Sequence, residues 1–442
     1  MTPQSLVALA LADSMLAGEA TAAGLARSAA WSLGRSWPWV APLCRALWRR
    51  AGAHFPHYSR DELAQLIVRQ RSFAAAWQAG APLPAIVRYC LRRAPAPAAP
   101  AWLAPLGLPG LAGSAELARW LRVTPGELAW YADQWRDNAA ADQALGHYRY
   151  RWLAKRSGGL RLLEMPKLRL RAIQRQVLRG LLDRVPAHPA AHGFRRGRSC
   201  ATHAALHTGQ ALVLRIDLQD FFPSIPAPRV QALFAKLGYP DTVAGLLARL
   251  CTHRAPGRVL AAAPAPDGLT AAGRAALRTP HLPQGAPTSP ALANLCAYRL
   301  DLRVDALARS LGATYSRYAD DLAFSGGAAF ARAAGRFAQQ VAAIALEEGF
   351  RVQHRKTRAM RAGTRQQLTG IVVNRHPNLP RADFDVLKAT LNNCVRHGPA
   401  SQNREGRADF RAWLAGRLAY LHMLNPQRGL RLRRLFEQID WG

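Results

Sequence analysis

The sequence predicts an α+β fold preceded by an all-helical N-terminal region, and three observations carry that expectation. Residues 1–93 place Ala, Leu, Trp and Arg at helical spacing. From Tyr148 the pattern turns to mixed strand and helix, with β-prone apolar runs at residues 211–218 (ALVLRIDL) and 314–325 (TYSRYADDLAFS). Residues 384–439 return to a helical pattern.

Within residues 1–93, Pro38, Pro42, Pro56 and Pro82 are expected to divide the region into several short helices, whose role is not legible. Residues 94–113 begin with a Pro- and Ala-rich run that reads as a stiff linker and a domain boundary. Residues 114–145 read as a helical leader. It holds two short amphipathic segments around Val123-Thr124-Pro125-Gly126, with Thr124 placed to cap the second. That helix-turn-helix pattern is read as packing rather than DNA recognition. Residues 255–279, rich in Ala, Pro and Gly, read as a surface loop.

Lys and Arg number 60 against 27 acidic residues, a formal charge of +33, nearly all of the excess being Arg. A polyanionic partner is the simplest physical reason for such a field. The six cysteines are scattered without a close pair, which argues against a zinc or redox motif and fits reduced thiols in the cytoplasm. The first residues lack a secretory pattern, and no uncharged stretch is long enough to span a bilayer.

The apolar run at residues 211–218 is interrupted by Arg215 and delivers Asp217 at its end. The run at 314–325 reads as a hairpin with Asp320 and Asp321 at its tip. Adjacent residues on a regular strand face opposite sides, but at a turn both can approach one site. Three carboxylates from two strands suit a pair of Mg²⁺ ions acting on a phosphoryl-transfer reaction. An Asp-Asp pair alone is more often a solvated turn. Its company gives it meaning.

Over roughly residues 114–441 the chain resembles the reverse transcriptase family, and within it the retron enzymes. Tyr318-Ala319-Asp320-Asp321 is similar to the family's YxDD box, and Asp217 within RIDLQDFFPSI to the first catalytic aspartate and the retron-like FFPS. LPQGAPTSP at residues 282–290 resembles the PQG motif, which places Gln284 and Gly285 beside the incoming nucleotide and template. The resemblance implies a right-hand polymerase: fingers and palm over 146–380, the palm built on an antiparallel sheet, and a helical thumb over 381–442.

The same resemblance assigns further roles. RWLAKRSGGLR at 151–161 resembles the fingers hairpin, in which Gly158-Gly159 makes the turn and Lys155 and Arg161 clamp the triphosphate. Phe222 occupies the place of a bulky residue beneath the incoming sugar, and strand alternation is expected to turn Phe221 the other way. HGFRRGRS at 192–199, with Arg195 and Arg196, resembles a segment near the template. Lys356 matches a lysine that protonates or steadies the leaving pyrophosphate. Leu368-Thr369-Gly370 resembles the retron VTG signature. His203-Ala204-Ala205-Leu206-His207 resembles NAxxH with His in place of Asn, and its histidines either contact RNA or are packed and hydrogen-bonded. Basic thumb residues, including Arg417, Arg428, Arg431, Arg433 and Arg434, are placed to track a primer-template backbone.

The implied activity is RNA-directed DNA synthesis from deoxynucleoside triphosphates on a structured noncoding RNA that is both template and primer. The product would be RNA-linked single-stranded DNA used in antiphage defence, with an effector protein as a further partner. The alternatives are another bacterial defence or intron-related reverse transcriptase, although no maturase or endonuclease segment follows the thumb, and, in a different class, a catalytically silent nucleic-acid-binding scaffold. Intact carboxylates weigh against the scaffold, since clustering them is costly without chemistry to perform.

Overall fold

The computed structural model describes residues 2–52, 55, 58, 60–78, 82–90, 101–133, 145–155, 158–264 and 268–441. The chain divides into two units, Met1–Pro95 and Ala96–Gly442. No helix among the described residues is long and apolar enough to cross a membrane.

The first unit is helical: α1 (Pro3–Ala17), α2 (Ala22–Ser32), α3 (Val40–Ala51), α4 (Arg60–Val68) and α5 (Arg71–Ala75). Thr2 caps α1 by accepting from the Ser5 N–H, with Pro3 at the first helical position where its missing donor is not needed. Pro42 does not divide the helices as expected. It sits in the first turn of α3, where no intrahelical N–H bond is lost. Leu11, Met15, Leu25, Leu43, Phe55 and Phe73 are all buried and form the unit's own core.

The second unit begins within the expected linker. Leu103, in a 3₁₀ turn at Ala101–Leu106, and Leu111 are both buried in the larger core, so this part of the stretch is packed rather than extended. Then come α6 (Ser114–Leu121) and α7 (Pro125–Tyr131), joined through Arg122 in a left-handed conformation. Thr124 and Glu127 form a reciprocal capping box, and Leu117, Leu121 and Leu128 face the core, so the pair is spent on packing.

Strands β1 (Tyr148–Ala154) and β2 (Leu160–Pro166) form an antiparallel hairpin. They are followed by α8 (Leu168–Gly180), α9 (Cys200–Ala205), β3 (Leu212–Asp217), α10 (Ala227–Lys236), α11 (Asp241–Cys251), α12 (Gly257–Ala261) and α13 (Ala271–Arg278). The last two correct the expectation of a surface loop at residues 255–279. Ala255, Leu260 and Leu277 pack on Leu162 of the hairpin as a small separate core. Helices this short leave too little periodicity to be recognised in sequence.

Next are α14 (Ser289–Cys296), α15 (Tyr298–Ser310), β4 (Thr314–Tyr318), β5 (Asp321–Gly326), α16 (Ala328–Glu347), β6 (Arg358–Arg361), β7 (Gln367–Leu368) and β8 (Ile371–Val372). The central sheet is antiparallel in the order β4-β5-β3-β6. Side chains alternate across it. Leu212, Leu214, Ile216, Leu322 and Phe324 join the core that includes Phe330 and Phe337 of α16. Val213 and Ala323 face the other way, onto Ala204, Leu368, Ile371 and Leu424. Three helices close the chain, α17 (Arg381–His397), α18 (Phe410–Leu424) and α19 (Pro426–Glu437), packed through Leu391, Leu414, Leu421 and Leu432. Gly429 allows the last two to touch, since a Cβ there would lie 2.5 Å from the His422 Cα.

Candidate active site

The register of the central sheet brings the acidic residues together. Asp217 ends β3 directly opposite Asp321, the first residue of β5, and Asp320 lies in the turn just before it. Since Arg215, Asp217, Asp321 and Ala323 share one face, the carboxylates gather at one end of the face that also carries Val213. The end of β3 is fastened there, the Leu218 N–H donating to the Asp320 carbonyl at 2.9 Å and the Gln353 N–H to the Asp217 carbonyl at 2.7 Å.

Electrostatics match this crowding. Burial, and then the charge of Asp217, raises the Asp320 carboxyl above the usual range. Burial pushes Asp321 up to about 6 even though Arg215 opposes the shift. Arg215 forks onto Asp321, Nε to Oδ1 at 2.8 Å and Nη2 to Oδ2 at 2.8 Å. Lys356, from a 3₁₀ turn at His354–Lys356, places Nζ 3.0 and 3.2 Å from the two oxygens of Asp217. The lysine expected at a leaving pyrophosphate thus rests on the first aspartate.

Hard carboxylate oxygens in this number suit a divalent ion such as Mg²⁺. No ready-made cage of three ligands exists among the described residues, because both oxygens of Asp321 and of Asp217 face cationic side chains. Asp217 and Asp320 are the two carboxylates of the three that no arginine fork occupies, Asp217 being held only by the flexible Lys356.

The hairpin tip is held from beneath. Arg317 is wholly buried and forks onto Asp301, both contacts being 2.7 Å, while its Nη1 donates to Asn294 Oδ1 and to the Ala319 carbonyl at 3.0 Å. Burial works against its charge, and Asp301 more than offsets that, so the guanidinium is held more firmly protonated than usual. Ala319 has φ +57°, a strained value for a residue with a side chain. Gly193 packs on it so closely that a Cβ would lie 2.6 Å from the Ala319 N, and Asn294 donates to the Gly193 carbonyl at 2.9 Å.

His203 and His207, offered in the sequence as possible RNA contacts, are both fully buried. His207 bonds Ser325 Oγ and Ser316 Oγ at 2.7 Å, and Ser316 Oγ bonds His203 Nδ1 at 2.7 Å. They cannot reach RNA, because they pack beneath the sheet face that carries the aspartates. Burial lowers both, His207 to about 3. Arg195 donates to the carbonyls of His188 and Ala191 and so shapes its own loop, whereas Arg196 is exposed.

Phe222 is half-buried between Phe194, at 6.0 Å, and Phe221, at 5.6 Å. Phe221 is buried in the core as expected, but the cause is a turn, with Asp220 at φ +44°, rather than strand alternation. Lys155 pairs with Asp220 at 3.2 Å, beside a turn in which Gly158 and Gly159 both take positive φ. Residues 156 and 157 of that segment lie outside the described residues. Arg161 is exposed, and its charge is felt at Asp320.

Gln284 accepts from the Glu164 N–H through its carbonyl at 2.9 Å, and Gly285, at φ +132°, leaves no room for a Cβ, which would sit 3.0 Å from the Glu164 carbonyl. A buried Glu164–His281 pair at 2.9 Å lies just before this segment. Arg215, Arg317, Asp301, Asn294, Glu164 and His281 were not foreseen from the sequence as parts of the site. The available signal was a charged residue inside an apolar strand at Arg215 and Arg317. In the C-terminal helices, Arg417 stacks on Trp413 and Arg428 on Phe384, while Arg431 and Arg434 are exposed and Arg433 pairs with Glu437 at 3.4 Å.

Comparison with known proteins agrees with this geometry. Residues 153–383 match the family described as reverse transcriptase (RNA-dependent DNA polymerase). The Retron Mx65 reverse transcriptase of Myxococcus xanthus is 41% identical over 343 residues, 76% of this chain and 73% of the relative. The Retron Mx162 reverse transcriptase of the same organism is 37% identical over 344 residues, covering 73% and 66%. The Retron Ec86 reverse transcriptase of Escherichia coli is 30% identical over 235 residues, 53% and 65% of the two chains. With its aspartates gathered at one end of an antiparallel palm sheet, the chain belongs to the retron reverse transcriptases and is an RNA-directed DNA polymerase.

Proposed function

We propose that this enzyme copies part of a dedicated structured noncoding RNA into single-stranded DNA that remains joined to RNA, starting from an internal 2′-hydroxyl. The product would serve antiphage defence in the cytoplasm together with an effector protein. The observation that carries the retron reading is the 41% identity to the Retron Mx65 enzyme, extending well beyond the polymerase boxes. The β7–β8 turn at Leu368-Thr369-Gly370 adds local support. Thr369 takes φ +48°, and Leu368 and Ile371 anchor the turn to Leu424 of α18, joining the signature to the thumb.

Two Mg²⁺ ions held by Asp217 and Asp320, with Asp321 beside them, would acidify the attacking hydroxyl and offset charge on the departing pyrophosphate. The remaining work falls to the chain. Lys155 and Arg161 meet the triphosphate as it approaches the fingers hairpin. Gln284 and Gly285 border the nascent pair, the missing Cβ of the second letting this loop pack against the Glu164 carbonyl of β2. Lys356 leaves Asp217 to steady the pyrophosphate. A 2′-hydroxyl held in line needs no new catalytic group, so selectivity for it comes from how the RNA is positioned.

The test is co-expression with the neighbouring noncoding locus, followed by isolation of small nucleic acids and treatment with debranching enzyme and ribonuclease. An abundant DNA species released from RNA by debranching supports the reading. Extension of annealed primers without any RNA-joined DNA overturns it and leaves the polymerase assignment standing.

A further inference from the structure

Phe194 meets two costs that a glycine in its place would avoid. It is the one exposed phenylalanine among the described residues, and its backbone stands at φ +61°, a left-handed value that a side chain disfavours. The strain cannot relax, because the chain is tied down before and after it. The His192 N–H donates to the Arg317 carbonyl at 2.7 Å, and the Arg317 N–H to the Ala190 carbonyl at 2.8 Å. Gly193 is packed on Ala319 and its carbonyl accepts from Asn294. Beyond Phe194, the Arg195 guanidinium reaches back to the carbonyls of His188 and Ala191 at 3.0 and 3.2 Å. A strained residue held on both sides points to a task for its side chain.

That side chain lies against two aromatic residues of the site. Its ring centre is 6.0 Å from that of Phe222, tilted by 53°, and 6.5 Å from that of Tyr318, tilted by 38°. Both separations are those of interacting aromatic pairs. Phe222 also meets Phe221 at 5.6 Å, and Phe221 is buried against Phe350 at 5.6 Å. Phe222 therefore has one wall built from the core, and a second that is the exposed ring of Phe194. A half-buried phenylalanine with an open side hops between staggered rotamers. Excluding one extra hydroxyl needs a ring that stays in place, since a ring free to swing admits the oxygen it should refuse.

We infer that Phe194 is a positioning residue for sugar selection, its ring closing on Phe222 and fixing that ring beneath the incoming nucleotide; the inference rests on Phe222 being the gate. Phe194 acts through Phe222 and not on the sugar. The hydrogen bonds that hold its loop to β4 keep this wall in register with the aspartates, because Arg317, which accepts from His192, also pins Ala319. The strained backbone is then the cost of aiming a ring out of a loop whose course is fixed by that hairpin.

The experiment uses the full-length protein extending an annealed primer by a single nucleotide, with kcat and KM measured for a deoxynucleotide and for the matching ribonucleotide. Phe194→Gly removes the ring and suits the left-handed backbone, so Tm should change little. In that variant the ribonucleotide-to-deoxynucleotide ratio of kcat/KM should rise by about tenfold. Phe194→Tyr keeps the ring and should keep the ratio of the natural protein. Phe222→Val should relax the ratio by itself. Adding Phe194→Gly to it should change the ratio little further, because the ring that Phe194 steadies is gone. An unchanged ratio in Phe194→Gly beside a relaxed one in Phe222→Val overturns the inference and leaves Phe222 as the gate. An unchanged ratio in Phe222→Val removes the gate, and the inference falls with it. Equal gains from Phe194→Gly with and without Phe222 overturn it too, since the ring would then meet the sugar directly. A rise in KM for both nucleotides alike, at constant ratio, overturns it by assigning Phe194 to base stacking.

Discussion

Arg317 and Asp301 form a bidentate ion pair in which neither side chain is exposed, and the same guanidinium donates to the carbonyl of Ala319 at the tip of the β4–β5 hairpin. The pair therefore does two separable things. It satisfies a buried carboxylate, and it pins a residue whose left-handed backbone would otherwise relax.

Removing one partner should be severe. Arg317→Met leaves Asp301 buried without a countercharge, with only the Tyr315 hydroxyl donating to it, at a cost of about 3–5 kcal/mol, visible as a large fall in Tm and loss of primer extension. The double variant Arg317→Met/Asp301→Leu restores an uncharged interior and should recover most of the Tm. Extension should stay low, because nothing holds the Ala319 carbonyl. If the double variant regains both, the hairpin tip does not depend on this bond.

The aspartates are expected to differ among themselves. Asp217→Asn and Asp320→Asn remove charge from groups that only a lysine, or nothing, contests, and each should reduce nucleotide addition by at least about 100-fold. RNA binding should persist in both, because phosphate contacts from basic residues do not depend on these carboxylates. Asp321→Asn also releases Arg215 from its fork, so it should lower Tm as well as activity. Filter binding, thermal scans and primer extension on the three variants separate these effects. Robust extension by both Asp320→Asn and Asp321→Asn would remove the metal assignment.

The parts of this site that sequence made legible are local. An apolar run ending in Asp217, an Asp-Asp turn and a Gly-Gly turn each declare themselves within a few residues. Arg215 and Arg317 were visible only as interruptions in β-prone runs. The partner of Arg215 lies 106 residues away and that of Arg317 16 residues away, and periodicity says nothing about which distant residue will pair. For the same reason the sequence left His203 and His207 open between RNA contact and packing, and the structure shows the packing. Polar in sequence, His207 is satisfied at both ring nitrogens and His203 at one by serines of β4 and β5, which only the folded sheet brings to them. The segment 255–279 was missed because its helices are short and owe their form to packing on β2.

Phe222 stands at the edge of the site with one side against Phe194 and Phe221. If its ring lies beneath the incoming sugar, shortening it makes room for a ribose 2′-hydroxyl without emptying the core that Phe221 fills. Phe222→Val should raise ribonucleotide incorporation relative to deoxynucleotide while Tm changes little. Unchanged discrimination in a variant that still polymerises would place the gate elsewhere.

The buried histidines make stability depend on pH with a definite sign. His207 is held near 3 by burial, against an ordinary value of 6.5. Between those values the unfolded chain carries a proton on this residue and the folded chain does not, so unfolding takes up a proton as pH falls. Its contribution to stability is complete above about pH 6.5 and is lost progressively toward pH 3. In that window the free energy of unfolding should change by about 1.4 kcal/mol per pH unit for this one group. His203 is depressed by burial as well, so it adds to the same slope. His207→Gln keeps a hydrogen-bonding side chain between Ser316 and Ser325 but cannot titrate. Denaturant unfolding from pH 7 down to pH 4 should show the variant with a shallower loss of stability, whatever its stability at pH 7. Equal slopes for the two proteins would mean that His207 is charged in the folded state, and that the serine network beneath the aspartates accommodates a cation.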